Sequence, residues 1–228
     1  MILLQVPEIE VVDLVRTFDG TPPVRALKPC TFSIHSGEFV AISGPSGSGK
    51  STLLGLLGLL DVPTSGEYLL GGVQTAALTD NERSTVRAFD LGFVFQAFHL
   101  MNYRTVVDNV ELGLLYQGVP RHERLERCLE ALESVGLEDR RDALCSTLSG
   151  GEKQRTVIAR ALVRNPRVIL CDEPTGNLDS VNTHNIVELL SKLHDEGQTI
   201  VMITHESDVA DVASRRLEIV DGVVSETA

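Results

Sequence analysis

Residues 44–52 have the sequence GPSGSGKST, a pattern that can bind a polyphosphate. They match G-x-x-x-x-G-K-[ST], in which backbone N–H groups turn toward phosphate oxygens. Lys50 would bring a full positive charge to the β- and γ-phosphates, and the Ser51 hydroxyl is placed to ligate Mg²⁺. The residues predicted to bind nucleotide are Gly44, Pro45, Ser46, Gly47, Ser48, Gly49, Lys50, Ser51 and Thr52.

Two adjacent carboxylates, Asp172 and Glu173, follow an apolar run at residues 168–171. In open parallel sheets, ligands bind at the carboxyl ends of the strands. Asp172 would hold Mg²⁺ there, and Glu173, pointing the other way, could accept a proton from an attacking water. The alternative is a solvated acidic pair that caps a loop. The phosphate loop in the same chain favours the nucleotide site.

Residues 148–155, LSGGEKQR, open a helical stretch that extends to about residue 163. Ser149 is a predicted N-cap, and Glu152 three residues later completes a capping box. By capping alone, this pattern only starts a helix. Ser149 with Gly150 and Gly151 at a helix N-terminus also predicts a second anion site. Because the chain already has one such site, we expect the second to serve the nucleotide of another chain.

The elements that would position these residues alternate between strand and helix. Strand-like stretches at 9–18, 30–35 and 67–74 predict an edge sheet. A strand at 38–43 leads into the phosphate loop and a helix at 51–60 follows it, which places a helix N-terminus at the anion site. Further strands are predicted at 91–95, 168–171 and 199–203, with a final hairpin of 216–220 and 223–225. Helical periodicity appears at 105–118, 121–135 and 180–196.

The bulk composition excludes several classes of protein. The chain has 228 residues, of which 43% are hydrophobic and 23% charged, as in ordinary globular proteins. Its net charge of −12 disfavours a nucleic-acid partner. The most apolar stretch, residues 53–60, is too short to cross a membrane. Neither a zinc site nor a disulfide framework is predicted, because no C-x-x-C spacing links Cys30, Cys128, Cys145 and Cys171.

Together, these segments resemble the ATP-binding subunit of an ABC transporter, over nearly the whole chain. The family's motifs occur in the family's order: the phosphate loop, Gln96, Leu148–Glu152, Asp172-Glu173-Pro174, Leu178-Asp179 and His205. The resemblance implies an α/β fold with a RecA-like P-loop NTPase core, an antiparallel β edge subdomain and an α-helical insertion. We expect one domain over 1–228, with 1–95 and 162–228 forming the core and β subdomain and 96–161 the helical signature subdomain.

The resemblance also implies roles for individual residues. Family members form head-to-tail dimers that sandwich two ATP molecules. Glu173 matches the general base and His205 the switch histidine at the γ-phosphate. Gln96 matches the glutamine that reaches Mg²⁺ and the lytic water and links to the membrane partner. Phe18 falls where an aromatic ring stacks on adenine, although it could instead be a strand residue packed inward. The positions implied to act on the other chain's nucleotide are Ser149, Gly150, Gly151 and Asp179.

Residues 172–179 (DEPTGNLD) and 95–100 (FQAFHL) are similar to the branch that includes macrolide exporters, lipoprotein-release transporters and the cell-division ATPase. This resemblance implies an ATPase homodimer that drives a separate integral membrane permease from the cytoplasmic face of the membrane, with ATP and Mg²⁺ as cofactors. An ATP-driven mechanotransducer that acts on a cell-envelope enzyme through a membrane partner remains the alternative. A soluble ABC protein of translation or DNA repair is disfavoured, because such proteins usually carry two cassettes or a long coiled coil.

Overall fold

The computed structural model describes residues 6–227, apart from the side chain of Ser207. Residues 1–5 and 228 of the expected domain lie outside this part of the chain. The strands are β1 (Ile9–Phe18), β2 (Val24–Ile34), β3 (Phe39–Ser43), β4 (Ser65–Leu70), β5 (Val73–Gln74), β6 (Leu91–Phe95), β7 (Val168–Asp172), β8 (Thr199–Ile203), β9 (Arg215–Val220) and β10 (Val223–Thr227). The α-helices are α1 (Lys50–Leu57), α2 (Asp80–Phe89), α3 (Val106–Glu111), α4 (Arg121–Ser134), α5 (Gly150–Leu162), α6 (Ser180–Asp195) and α7 (Ser207–Ala210).

The larger sheet has the strand order β10-β9-β3-β8-β7-β6. All of its strands are parallel except β10, which forms an antiparallel hairpin with β9. The apolar side chains of β7 and β8 are buried, as expected for strands covered on both faces. Because β3, β8 and β7 are neighbours and parallel, the phosphate loop, His205 and the Asp172–Glu173 pair emerge at the same edge of the sheet.

The smaller sheet is antiparallel, in the order β2-β1-β4-β5. It confirms the predicted edge sheet. The expected strand over 30–35 was too short, because β2 begins at Val24 and pairs with β1 up to the Phe18–Val24 register. The strand was predicted too short because the turn-forming residues before Val24 gave no indication that a strand begins directly after them. The longer strand matters for function, since its first residues reach the phosphate loop.

Residues 106–162 contain α3, α4 and α5 with short connections, and these helices pack against one another. The predicted helix over 105–118 was wrong in its second half, where residues 112–117 form a 3₁₀-helix. Gly113 weakens the α-helix within that stretch, and Gly118 ends it in the left-handed conformation, with φ 68°. The predicted helix over 121–135 agrees with α4.

Helix α2 was not predicted from the sequence. None of its residues is buried, so the sequence lacks the apolar stripe that indicates a packed helix. A local signal was nevertheless present, because Thr79 and Glu82 form a complete capping box at its N-terminus. The four-residue helix α7 was also not predicted.

Candidate active site

The phosphate loop connects β3 to α1, and its backbone needs glycine at two close approaches. Gly44 has φ 145°, and a Cβ there would lie 2.1 Å from the carbonyl oxygen of Ile219 in β9. Gly49 has φ 112°, and a Cβ there would lie 2.4 Å from the carbonyl oxygen of Ala26 in β2. A side chain at Gly44 would therefore push the loop away from β9, and one at Gly49 would push it away from β2.

Lys50 is the first residue of α1 and is only 8% exposed. Its ammonium group donates to the carbonyl oxygens of Gly44 and Pro45, both at 2.8 Å, so the charge is held over the loop. Ser48 Oγ is buried and has no hydrogen-bond partner in the described part of the chain. An ammonium charge and the N-terminus of α1 therefore face the same loop, which fits a bound phosphate.

The loop borders an open cavity of ≈ 1050 Å³. Glu173 and His205 also line it, so the structure brings together three groups that are far apart in the sequence. Sequence reasoning missed the other wall of the cavity, which is formed by the start of β2 and by the β9–β10 hairpin. The residues of that wall are Val24, Arg25, Ala26, Glu218, Asp221 and Gly222.

The β9–β10 turn fastens the phosphate loop to the antiparallel sheet. The Gly222 N–H donates to the Ser48 carbonyl at 2.9 Å, and the Lys28 N–H donates to the Gly222 carbonyl at 2.8 Å. The Asp221–Gly222 pair had predicted the hairpin correctly. No local pattern indicated that this turn contacts the nucleotide loop, because the contact depends on how β9 pairs with β3.

Glu173 follows β7 in the left-handed region, with φ 46°. Its backbone N–H donates to the Ile203 carbonyl at 3.0 Å, which fixes the turn against β8. Its Oε1 lies 3.1 Å from Nδ1 of His205. A non-glycine residue held in this conformation is strained, and such strain is often found at functional sites.

Asp172 is half-buried at the end of β7 and does not line the cavity. Burial raises the pKa of its carboxyl group and the adjacent Glu173 charge raises it further, while Lys50 lowers it. An added cation would offset this cost. The Asp172 carboxylate and the Ser51 hydroxyl are oxygen donors of the kind that Mg²⁺ prefers, so the residues present fit that ion.

Gln96 and Phe18 do not line the cavity. Gln96 follows β6, and its carbonyl oxygen accepts a hydrogen bond from the side-chain amide of Asn177 at 2.9 Å. Phe18 ends β1 and is 39% exposed, with the Arg16 guanidinium 4.4 Å from its ring centroid. Its cross-strand partner Val24 does line the cavity. Adenine could stack on the Phe18 ring only at the face that Arg16 leaves open.

Ser149 caps α5 through the predicted capping box with Glu152. Hydrogen bonds from the Ser149 backbone, together with the Arg140 guanidinium, lower the pKa of the Glu152 carboxyl to about 2. Gly151 lies against Asn182 of α6, where a Cβ would be 2.2 Å from the amide oxygen. The helix tip is therefore rigidly supported.

Asp179 caps α6 and accepts hydrogen bonds from the Asn182 N–H and side-chain amide, which lower the pKa of its carboxyl. The residues expected to act in trans do not line this chain's own cavity: Ser149, Gly150, Gly151 and Asp179. Among the described residues, no cluster of three or more His, Cys, Asp or Glu side chains could hold a metal ion.

The fold and the site define a P-loop ATPase with a helical insertion and a second capped helix tip. The chain belongs to the ABC transporter family, whose sequence model matches residues 27–176. This membership confirms the resemblance on motifs, the fold and the assignment as an ATPase that binds nucleotide.

Its relatives include proteins of two architectures. It is 50% identical over 203 residues to the uncharacterized ABC transporter ATP-binding protein YvrO of Bacillus subtilis, which covers 89% of each chain. It is 49% identical to the macrolide export ATP-binding/permease protein MacB of Rhodospirillum rubrum, over 96% of this chain and 34% of that protein. The chain thus spans about a third of the length of the MacB proteins it matches.

Solved structures agree with the fold. The dimeric post-hydrolysis ATP-binding cassette MJ0796, bound to ADP and Pi, is 40% identical, with a TM-score of 0.85 over 96% of this chain and 98% of that one. The cassette CbiO1 of Clostridium perfringens, part of the transporter complex CbiONQ, is 30% identical, with a TM-score of 0.86 over 96% and 87%.

Proposed function

We propose that this chain is the nucleotide-binding subunit of an ABC exporter and closes into a homodimer on ATP to drive a transmembrane permease. The observation that carries this proposal is the joint placement of the phosphate loop, Glu173 and His205 around one cavity, with the Ser149 helix tip outside it. The dimeric structure of the 40% identical cassette MJ0796 supports assembly as a dimer.

In each half-site, the loop N–H groups and Lys50 bind the β- and γ-phosphates of ATP. Asp172, Ser51 and Gln96 would hold Mg²⁺, which supplies positive charge to the phosphate oxygens when bound. Glu173 accepts a proton from the attacking water, a role worth about 10²–10⁴-fold in rate. His205 holds the Glu173 carboxylate through Nδ1, and it would donate to the γ-phosphate through Nε2 when that nitrogen also carries a proton.

The second half of each site comes from the other subunit. The Ser149 tip, with Gly150 and Gly151, would donate N–H groups to the partner's γ-phosphate, because an uncovered helix N-terminus favours an anion. Asp179 lies at the start of α6, against the same tip, and would contact the partner subunit. Neither of these groups reaches this chain's own cavity, so each half-site is complete only in the dimer.

Coupling to the permease would pass through Gln96 and the segment that follows it, in the helical subdomain 96–161. Tyr103 in this segment is 77% exposed, and Met101 beside it is partly exposed. Among the described residues, no helix is long and apolar enough to cross a membrane. The permease would therefore be a separate chain or segment, and it would hold this domain at the cytoplasmic face of the membrane.

A mechanotransducer in the same branch is the second candidate, because it would use the same motifs without moving a substrate. We would co-purify the membrane partner and reconstitute both proteins in liposomes. ATP-dependent substrate movement that is lost with Glu173→Gln supports the exporter. ATP hydrolysis stimulated by the partner without transport of any candidate substrate would favour the mechanotransducer. Absence of any membrane partner would contradict both.

A further inference from the structure

The segment after β6 is held by side chains from two other parts of the chain. Asn177 Nδ2 donates to the Gln96 carbonyl at 2.9 Å. Arg160 of α5 donates to the Phe98 carbonyl at 3.1 Å and to the His99 carbonyl at 2.8 Å. Three carbonyls within four residues therefore have fixed partners, and within residues 6–227 Asn177 is the side chain that hydrogen-bonds Gln96 itself.

Gly176 leaves room for the Gln96 side chain. A Cβ at Gly176 would lie 2.6 Å from Nε2, 3.1 Å from Cδ and 3.4 Å from Cγ of Gln96. Gly176 is not among the glycines with positive φ, so its backbone would accept alanine. The close approach of Gln96, and not the local backbone conformation, is thus what requires glycine at this position.

We propose that Asn177 and Gly176 are positioning residues that set where the Gln96 side chain lies. Asn177 fixes the backbone of Gln96, and the missing Cβ of Gly176 lets the side chain lie across the turn. Both residues belong to the short segment between Glu173 and the Asp179 cap. The segment that carries the proposed general base, Glu173, therefore also positions Gln96.

This inference rests on the proposed role of Gln96 in ATP hydrolysis, but the placement itself can be tested without nucleotide. The side-chain amide signals of Gln96 would be recorded by ¹⁵N–¹H NMR in the nucleotide-free protein. We expect Asn177→Ala and Gly176→Ala to shift them, while Asn185→Ala leaves them in place, because Asn185 is exposed on α6 away from this contact. Signals that stay unchanged in either test variant would overturn the proposal.

Both variants should remain folded. Arg160 still anchors the Phe98 and His99 carbonyls in Asn177→Ala, and the atom displaced in Gly176→Ala is the flexible end of Gln96. We expect kcat for ATP to fall roughly 10-fold or more in each, since small misplacements of a reacting group are costly. The Kd for ATP measured without Mg²⁺ should stay within about twofold, because the phosphate loop is untouched.

A double-mutant cycle with Gln96→Ala separates positioning from a general structural effect. In the Gln96→Ala background, neither Asn177→Ala nor Gly176→Ala should lower kcat further, since no side chain remains to be placed. A second 10-fold loss in that background would overturn the proposal. Wild-type turnover in Gln96→Ala alone would refute the role of Gln96, while the amide signals would still decide whether Asn177 and Gly176 place it.

Discussion

The Nδ1 atom of His205, which follows β8, lies 3.1 Å from Oε1 of Glu173, which follows β7. With the Glu173 carboxylate ionised, this contact is a hydrogen bond only when Nδ1 carries the proton, because an ionised carboxylate can only accept. The neutral ring then presents an unprotonated Nε2, and an imidazolium would present a second donor. Because both side chains line the cavity beside the phosphate loop, the carboxylate lies where the proposed attack by water would take place.

Replacing the proposed base should separate binding from turnover. Glu173→Gln keeps the shape of the side chain but cannot take up the proton, so we expect kcat to fall about 10²–10⁴-fold. ATP affinity should be retained, and gel filtration with ATP should show a trapped dimer. Glu188→Gln, on the exposed face of α6, serves as the matched control. Hydrolysis by Glu173→Gln at the wild-type rate would refute the assignment.

Removing the loop ammonium should weaken ATP binding itself. Lys50→Ala deletes the charge held over the Gly44 and Pro45 carbonyls, and a lost charge-assisted contact of about 1.5–3 kcal/mol raises Kd roughly 10- to 150-fold. Titration with a fluorescent ATP analogue measures this change. Lys192→Ala removes an equal charge from the exposed side of α6 and should bind normally. Equal affinities in the two variants would contradict the phosphate-loop role.

The helix tip at Ser149 can be tested against a second capping box in the same chain. Ser149→Ala and Thr79→Ala each remove an N-cap bond worth about 1 kcal/mol, so both should lower the melting temperature by about 2–4 °C. Only Ser149→Ala should also lose ATP-dependent dimerisation and turnover. If Thr79→Ala impairs the dimer equally, or if Ser149→Ala dimerises normally, the proposed trans contact is wrong.

The raised pKa of Asp172 predicts a pH-dependent stability cost. The folded chain binds the proton more tightly than the unfolded chain, so stability falls as pH rises from the unfolded pKa to the folded one. Asp172→Asn removes this cost and should melt roughly 1–2 °C higher at neutral pH without nucleotide, a small shift because the carboxyl is half exposed.

Below about pH 3, where the carboxyl is protonated in both states, the difference from the wild-type protein should vanish. Asp195→Asn, an exposed substitution of the same charge, is the control. The same Asp172→Asn variant should lose Mg²⁺-dependent hydrolysis. A lower melting temperature for Asp172→Asn at neutral pH would show that the carboxylate stabilises the fold and would contradict the prediction.

Most of the parallel core was predictable because its strands are short, continuous apolar runs. The runs ending at Ser43 and Ile203 were placed to within a residue or two of β3 and β8. Helix α2 was missed because none of its residues is fully buried and only Val86 packs against the core. The stretch after Glu111 was predicted with the wrong helix type. In both places, the local sequence pattern influenced the secondary structure less than the surrounding tertiary structure did.

The sequence alone determined the chemistry: the phosphate loop, the carboxylate pair and the capped Ser149 tip depend on residue types a few positions apart. Only the tertiary structure decided what surrounds them. The Gly222 N–H reaches the Ser48 carbonyl from a turn late in the chain, and Arg25 reaches the cavity from the smaller sheet. The bond from Asn177 to Gln96 joins residues 81 positions apart. Such contacts follow from strand order and packing, which are set by the burial of apolar faces across the whole chain and not by any local motif.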